Sequence, residues 1–485
     1  MPRLIIVIPP LLVLMSIFCH AADLNDCFGG RPIYHFTPEK HWTNDPNGLL
    51  YVDGLYHLFY QHNPFGDTWG HMSWGHAVSR DLLTWQHLPV AIPEDSVMIF
   101  SGSAVNDSLN TCGLGDQDGC LVAIYTAHRS GHQAQAIATS IDDGLTWTQY
   151  SGNPVIDRNM ADFRDPKVFW YAPEGKWVMV VALPKLYQIA FYSSPDLLNW
   201  TLLSEFGPAG KAAGLWECPD FFEIPITGRS ESKWVLMLSS EGPHAGSGGM
   251  QYFVGEFDGT TFTNDNNLSK ALFLDYGKDF YAGQTYNGLP NHQRIMISWM
   301  SNWAYANQTP VNGFRGRMTL PRQLNLLRTA NGFRLRQLPV STLKMQETLC
   351  ANSNMDSGNL NTALAEMPSK IAFSLQVQTT ASFSLAFENL DSFFRYDKDM
   401  NVVVINRTFS RNCFDHAAFA GADTTVLTIP EAQQIFDFYF DANSMEVYVG
   451  NGAQTFSYLM FPGVSLNQMR LYSNDTIDKM RVNTF

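Results

Sequence analysis

A motif that returns at near-constant spacing constrains a chain more than its composition does, because every copy must occupy an equivalent place in the fold. Gly75-His76-Ala77-Val78-Ser79-Arg80-Asp81-Leu82-Leu83-Thr84-Trp85 is such a motif. It recurs in looser form over Ala136 to Trp147 and over Ile189 to Trp200, which sets the three Trp 62 and 53 residues apart. Each copy reads as a strand, a polar turn around Asp, and an aromatic residue leading into the next strand. Between the copies lie strand patterns such as Leu55 to Tyr60, Leu121 to Thr126, Trp177 to Leu183 and Lys233 to Ser239, bounded by Gly, Pro or Asp. Four strands per unit of ~50 residues is the arithmetic of a β-propeller blade.

Carried forward, this period predicts an all-β chain whose residues 30–336 form a five-bladed β-propeller, with six blades as the alternative count. Gly255 to Gly259 and Ile295 to Trp303 mark the later blades. After Met318-Thr319-Leu320-Pro321-Arg322 a short, basic, helical linker is expected to about Leu343. No Trp follows Trp303. Segments such as Ala381 to Glu388 and Gln434 to Phe440 still read as strands, so a C-terminal β-sandwich is expected over 347–485. The competing reading is a single irregular β-domain.

Composition narrows the partner. Charged residues make up 16% of the chain and the formal net charge is -14, which argues against nucleic acid and against anionic membrane surfaces. A neutral small molecule or polymer is the expected partner, and the sequence specifies no oligomeric state. Arg3 followed by the apolar run Leu4 to Phe18 and the small residues near Ala21 reads as a secretory signal peptide over 1–21. Its apolar core is shorter than the ~20 residues of a membrane span. Export leaves six cysteines: Cys27, Cys112, Cys120, Cys218, Cys350 and Cys413. Cys112 and Cys120 bracket a turn-rich stretch, so a local disulfide between them is expected. Sequons at Asn106, Asn199, Asn267, Asn307, Asn406 and Asn474 agree with export.

Three acidic motifs occur at blade-like intervals: Trp42-Thr43-Asn44-Asp45-Pro46-Asn47-Gly48, Phe163-Arg164-Asp165-Pro166-Lys167 and Trp216-Glu217-Cys218-Pro219-Asp220. Asp165 and Glu217 are 52 residues apart, one repeat, so each acid can project from a separate blade toward one axis. The bland reading is that Asp-Pro-Asn-Gly and Asp-Pro are β-turns. Against it, three independent turns have no need of an aromatic and an acid at blade spacing. Other residues carry bland readings too. Trp74, Trp85, Trp147, Trp200 and Trp234 read as blade core, and His71, His76 and His87 lack metal-ligand spacing. Cys218 has no His partner and is not read as a nucleophile, and Gly246 to Gly249 reads as a loop.

Together with His35-Phe36-Thr37-Pro38, Tyr60 to Pro64, Trp69-Gly70, Trp74 to Ala77 and Phe100 to Ser103, these motifs resemble the β-fructofuranosidase family. This is glycoside hydrolase family 32, of invertases, inulinases and levanases. The resemblance spans the mature chain and implies a five-bladed propeller joined to a β-sandwich. Thr43, where the family usually has Met, and Met72-Ser73, where a His commonly precedes the Trp, depart from the pattern but only flank the catalytic positions. The resemblance implies Asp45 as nucleophile, Asp165 as transition-state stabiliser and Glu217 as general acid and base of a retaining hydrolase. It further implies Asn44 and Gln61 for hydroxyl recognition, Arg164 with Asp165 for adjacent fructose hydroxyls, Trp69 and Phe100 for the apolar sugar face, and Ser101 for a further hydrogen bond. Sucrose, raffinose or short fructans are the implied substrates, with no metal and no cofactor. Fructosyl transfer, fructan exo-hydrolysis and sugar binding without catalysis are the alternatives. From local sequence, Glu217 beside Trp216 and Cys218 is expected to have the more apolar surroundings and the raised pKa, while Asp45 beside Asn44 stays charged.

Overall fold

The computed structural model describes residues 27, 30–310, 313–343, 347–353, 357–368, 372–428 and 433–485, with strand at 52% and helix at 7%. The signal peptide expected over 1–21 lies outside the described residues. Five strands organise the N-terminal part: β1 (His41–Val52), β2 (Met98–Asp107), β3 (Arg164–Tyr171), β4 (Glu217–Pro225) and β5 (Tyr281–Thr285). Each begins the antiparallel run of its own sheet, and the sheets follow one another in chain order. β1 packs on β2, β2 on β3, β3 on β4, β4 on β5 and β5 back on β1, so the first strands close a ring. All five are largely buried. The strands farthest from the ring, such as Gln86–Ile92 and Thr201–Phe206, are largely exposed or half-buried.

The recurring motif has a local cause. Ser79 Oγ donates to Asp81 Oδ1 at 3.0 Å, Ser140 Oγ to Asp142 at 2.8 Å and Ser194 Oγ to Asp196 at 3.0 Å. Each Asp then accepts backbone N–H groups three or four residues on, from Thr84, Thr146 and Asn199. This side-chain turn reverses the chain between the third and fourth strands of a sheet. The fourth sheet does the same through Asp258, which accepts from the amides of Thr260 and Thr261. Facing sheets pack through aliphatic and aromatic side chains, for example Val122, Ile124 and Ile137 against Val168, Met179 and Val181. Of the five Trp read as core, Trp74 is fully buried, while Trp85, Trp147, Trp200 and Trp234 pack half-buried against such clusters.

Where a helical linker was expected, two antiparallel strands run over Arg322–Thr329 and Gly332–Pro339 and complete the fifth sheet. Arg322, Leu324 and Leu326 bury alternate positions of the first strand and Leu335 packs with them from the second, a period of two that the polar and basic residues among them mask. The expected boundary at Arg336 therefore falls inside a strand. Beyond it, a six-stranded and a five-stranded antiparallel sheet form a β-sandwich. Its core is dominated by Phe373, Phe383, Phe394, Phe436, Phe438 and Phe440. Among the described residues the disulfide joins Cys27 to Cys413. Cys112 and Cys120, expected to pair, remain thiols with sulfurs 3.6 Å apart, and Asp107 holds the intervening loop by accepting from the Thr111 and Cys112 amides.

Buried charge ties the two parts together. Arg322 of the fifth sheet pairs with Asp275 at 3.0 Å and with Glu446 of the sandwich at 2.6 Å. His35 bridges Glu446 at 2.9 Å and Asp441 at 3.0 Å. Burial alone would raise the Glu446 carboxyl, but the Arg322 guanidinium and His35 overcome it and hold the group down at about 2. Removing one partner strands the other charges in the interior. Arg322→Met is expected to cost about 3–5 kcal/mol, read from urea unfolding. Because the folded Glu446 value lies below its ordinary 4.5, its stabilisation is complete above that pH and is lost as pH falls toward 2. Glu446→Gln should flatten the acid limb of melting temperature against pH in that window. An unchanged limb would remove Glu446 from the account.

Candidate active site

Regular strands present alternate side chains to alternate faces. All five ring strands break that alternation at the same end. Register shifts fall between Thr43 and Pro46 in β1, Ile99 and Gly102 in β2, Arg164 and Lys167 in β3, Glu217 and Asp220 in β4, and Tyr281 and Gln284 in β5. Asp165, Cys218 and Ala282 take positive φ there, at 68°, 47° and 55°. Pro166 and Pro219 sit inside these breaks, where a missing N–H costs no ladder bond, and Pro46 closes the break in β1 opposite Tyr60. The Asp-Pro-Asn-Gly and Asp-Pro segments are thus bulged strand and not turns. Gly48 has φ 52°, and a Cβ there would lie 2.8 Å from the Phe59 ring and 2.9 Å from Trp74.

The breaks surround one cavity of 330 Å³, lined by Asn44, Asp45, Gln61, Trp69, Phe100, Ser101, Arg164, Asp165 and Glu217. All nine residues singled out from sequence meet here. His128, Gln133 and Trp303 complete the lining. Asp45 Oδ2 accepts from Ser101 Oγ at 2.6 Å, and its Oδ1 accepts from Asn44 Nδ2 at 2.9 Å. The Trp42 indole, a donor only, donates to Asn44 Oδ1 at 2.7 Å and so turns the Asn44 amide N–H toward the acid. Both Gln61 amide N–H bonds are spent on Asn47 Oδ1 and Ile99 O, which leaves its carbonyl toward the cavity.

Glu217 Oε1 pairs with Arg164 at 2.8 Å, and its Oε2 accepts from the Tyr281 hydroxyl at 2.6 Å. Gln133 Oε1 accepts from Arg164 at 3.1 Å and from the Phe163 amide, acting as a strut for the guanidinium. Asp165 accepts from the Cys218 amide at 2.9 Å, while its own amide donates to Thr126 Oγ1. The Cys218 thiol lies 3.5 Å from Asp45 Oδ2 and 3.6 Å from Asp165 Oδ2, between two of the acids. Burial keeps this thiol protonated well above its ordinary range, so it donates to the carboxylates and does not compete with them as a nucleophile.

The electrostatic ordering corrects the expectation drawn from sequence neighbours. Glu217 is the least enclosed acid, its side chain 18% exposed, whereas Asp45 and Asp165 are buried. The Trp216 ring, adjacent in sequence, turns away into a core beside Phe253. Burial raises Asp45, with Ser101 and Asn44 opposing through hydrogen bonds and Glu217 adding repulsion. Burial also pushes Asp165 up to about 7, opposed by Arg164 and reinforced by the charges of Glu217 and Asp45.

Sequence reasoning missed Cys218 as a donor, Tyr281, Gln133, His128 and Trp303. Tyr281 opens a ring strand in a segment without a repeat motif, and Gln133 and His128 pair across a hairpin that rises beside the cavity. The Phe100 and His128 rings stack at 4.2 Å. Trp69 and Trp303, 40% and 39% exposed, form the rim. For a metal, the described residues offer one cluster, Asp107, Cys112 and Cys120, remote from the acids on the chain and already occupied by its own loop.

The description "Glycosyl hydrolases family 32 N-terminal domain" fits residues 35–339, and "Glycosyl hydrolases family 32 C terminal" fits 334–484. The chain is 42% identical to a levanase of Bacillus subtilis, over 91% of this chain and 68% of that protein. It is 38% identical to an extracellular exo-inulinase of Aspergillus ficuum, over 94% and 93%. In three dimensions it is similar to the crystal structure of an exo-inulinase from Aspergillus awamori, with a TM-score of 0.82, 35% identity and coverage of 94% and 97%. Two matching family regions that span the chain, together with relatives this similar over nearly its whole length, make it a member of glycoside hydrolase family 32 and a glycoside hydrolase.

Proposed function

We propose that the protein is a retaining, exo-acting β-fructofuranosidase, releasing fructose from sucrose and related terminal β-fructofuranosides. The observation that carries this reading is a single 330 Å³ cavity, at the small end of ligand pockets, with three hydrogen-bonded acids along it. A space of that size suits one ring at a chain end. The relatives named levanase and exo-inulinase support fructans beside sucrose as substrates. We read the ring of five sheets as a five-bladed propeller and residues 347–485 as its sandwich partner. The protein is read as secreted, on the strength of the apolar Leu4 to Phe18 segment and the extracellular relatives.

In this reading Asp45 attacks the anomeric C2 as the bond from C2 to the leaving oxygen breaks, and Glu217 gives that oxygen its proton. Glu217 then takes a proton from water, whose oxygen attacks C2 and releases Asp45. Glu217 suits the exchange because it is the acid least enclosed, steadied by Tyr281 and Arg164. Ser101 and Asn44 each donate to the Asp45 carboxylate, which holds its attacking oxygens in place. Asp165 and Arg164 hold adjacent fructose hydroxyls and stabilise positive charge developing on the ring.

Rates on sucrose, raffinose, inulin and levan, with product configuration followed by NMR, test the class. An inverted first product or transfer to sugar at ordinary sucrose concentration would overturn it. The acids separate by leaving group. Asp45→Ala should lose several orders of magnitude on every substrate, whereas Glu217→Ala should lose heavily on sucrose and less on a fructoside with an activated leaving group. Asp165→Ala should depress all substrates alike. Should activated substrates rescue Asp165→Ala and leave Glu217→Ala dead, the two roles are reversed. Arg164→Met removes the one positive charge opposing the rise of Asp165, so its carboxylate is lost at higher pH. The acid limb of kcat/KM is expected to move to higher pH in that variant, and a shift to lower pH would contradict the charge balance described.

A further inference from the structure

At the opposite end of the ring the same five strands enclose a second, larger cavity. Leu50 of β1, Asn106 of β2, Trp170 of β3, Glu223 of β4 and Asn287 just past β5 border a space of 710 Å³. Each lies roughly five or six residues beyond the acid-side position of its strand, which at ~3.3 Å per residue is about 17–20 Å along the axis. A buried polar layer separates the two cavities. Lys167 Nζ donates to Asp220 at 3.2 Å and to Thr285 O at 2.6 Å, and Asn287 Nδ2 donates to Ala104 O and Val168 O at 2.8 and 3.1 Å. With this layer on the axis, a chain that occupies both cavities runs around the outside of the ring.

The lining has two chemistries. One side is aromatic: Trp170 is 38% exposed and stands edge-on to Trp177, with centroids 5.0 Å apart. The other side presents Arg294, whose guanidinium lies 4.9 Å over the Phe222 ring and whose Nε donates to Glu223 O at 3.3 Å. Among the described residues its terminal nitrogens have no hydrogen-bond acceptor and no carboxylate within ion-pair distance. Arg294 is half-buried, and its guanidinium holds spare donors open to the cavity for a ligand rich in oxygen acceptors. Asp220 and Glu223 lie near enough to offset its charge, so the site suits a neutral ligand better than an anion. A flat aromatic face for C–H groups opposite a planar fork of donors for hydroxyl oxygens is the pairing a sugar requires. The volume, 710 Å³ against the 330 Å³ read as taking one ring, points to more than one unit.

We infer that this cavity is a second, non-catalytic binding site for a segment of two or three units of a fructan chain, an inference that rests on the first cavity being a fructosyl site. It would anchor a polymer on the face opposite the acids and favour long substrates over sucrose without touching the chemistry.

The test uses the full chain. Calorimetric titration of the non-hydrolysing Asp45→Ala protein with a linear inulin-type tetrasaccharide should show two sites, and adding Trp170→Ala or Arg294→Leu should leave one. In the otherwise native enzyme, Trp170→Ala should leave kcat/KM on sucrose unchanged and lower it on inulin about fivefold, the loss of one aromatic contact of ~1 kcal/mol. Unchanged sucrose activity also reports that the variant folds. One site in Asp45→Ala, or an unaltered ratio of inulin to sucrose rates in Trp170→Ala, overturns the inference. So does a glycan found by mass spectrometry on Asn106, in its sequon at the cavity lip, whose removal is required before the tetrasaccharide binds. If the wild-type enzyme hydrolyses no fructoside at all, it is the functional reading that fails. If it hydrolyses them and the Trp170 and Arg294 variants behave as wild type, only the second site fails.

Discussion

The broken register at one end of the five ring strands is the constraint on which the site depends. A regular strand turns only every second side chain toward the channel, so neighbours such as Asn44 and Asp45, or Arg164 and Asp165, would point to opposite faces. Because each ring strand gains an irregularity at the same level, consecutive polar residues converge on one cavity. The backbone bears a cost for this at Asp165, Cys218 and Ala282, whose left-handed conformations amount to about 1–3 kcal/mol each for non-glycine residues. The five well-packed sheets around the ring hold the strain in place.

Convergence creates an electrostatic problem that the surrounding groups only partly relieve. Three carboxyls share a small cavity with one guanidinium, and two of them are buried. Arg164 bonds to Glu217 and to Asp162 at 3.0 Å, so Asp165 feels its charge without a hydrogen bond from it, and the donors bonded to Asp45 and Asp165 are neutral: Ser101, Asn44, the Cys218 amide and the Cys218 thiol. Neutral donors stabilise a carboxylate less than a cation does. Burial therefore raises both Asp groups, and their donors leave the cavity side open for substrate hydroxyls to enter.

The sandwich takes part in the same construction through one excursion of the chain between the strands Ile295–Trp299 and Arg322–Thr329. This stretch supplies Trp303 to the cavity rim and Asn307, which accepts from the Trp69 amide at 2.9 Å. Phe314 and Arg315 then lie parallel beside β1, fastening the fifth sheet to the first. Tyr305 from the same stretch packs on Phe414 and Phe419 of the sandwich and donates to Asp279, the partner of Arg407. The Leu320 amide donates to Glu446. Loss of the buried charge network would thus loosen the ring closure and the rim together.

What the sequence determined by itself are the features with local causes. The Ser-x-Asp turn closes through hydrogen bonds within a few residues, so its recurrence exposed the period of the sheets. An acid within two residues of a Pro stands at three of the five broken registers, those of β1, β3 and β4, and all nine residues selected from these motifs and by family resemblance line one cavity. The strand pair over 322–339 was hidden because Arg and Gln alternate with its leucines and mimic a polar linker. The proximity of Cys112 and Cys120 was readable, whereas the bond between Cys27 and Cys413, 386 residues apart, was not. Tertiary structure alone decided the order of burial among the acids. Trp216 and Glu217 adjoin in sequence yet point opposite ways. The groups that set the environment of Glu217, Arg164 and Tyr281, arrive from two other strands of the ring. In a sheet, sequence neighbours face apart and spatial neighbours come from other strands, so the surroundings of a side chain appear only when the ring closes.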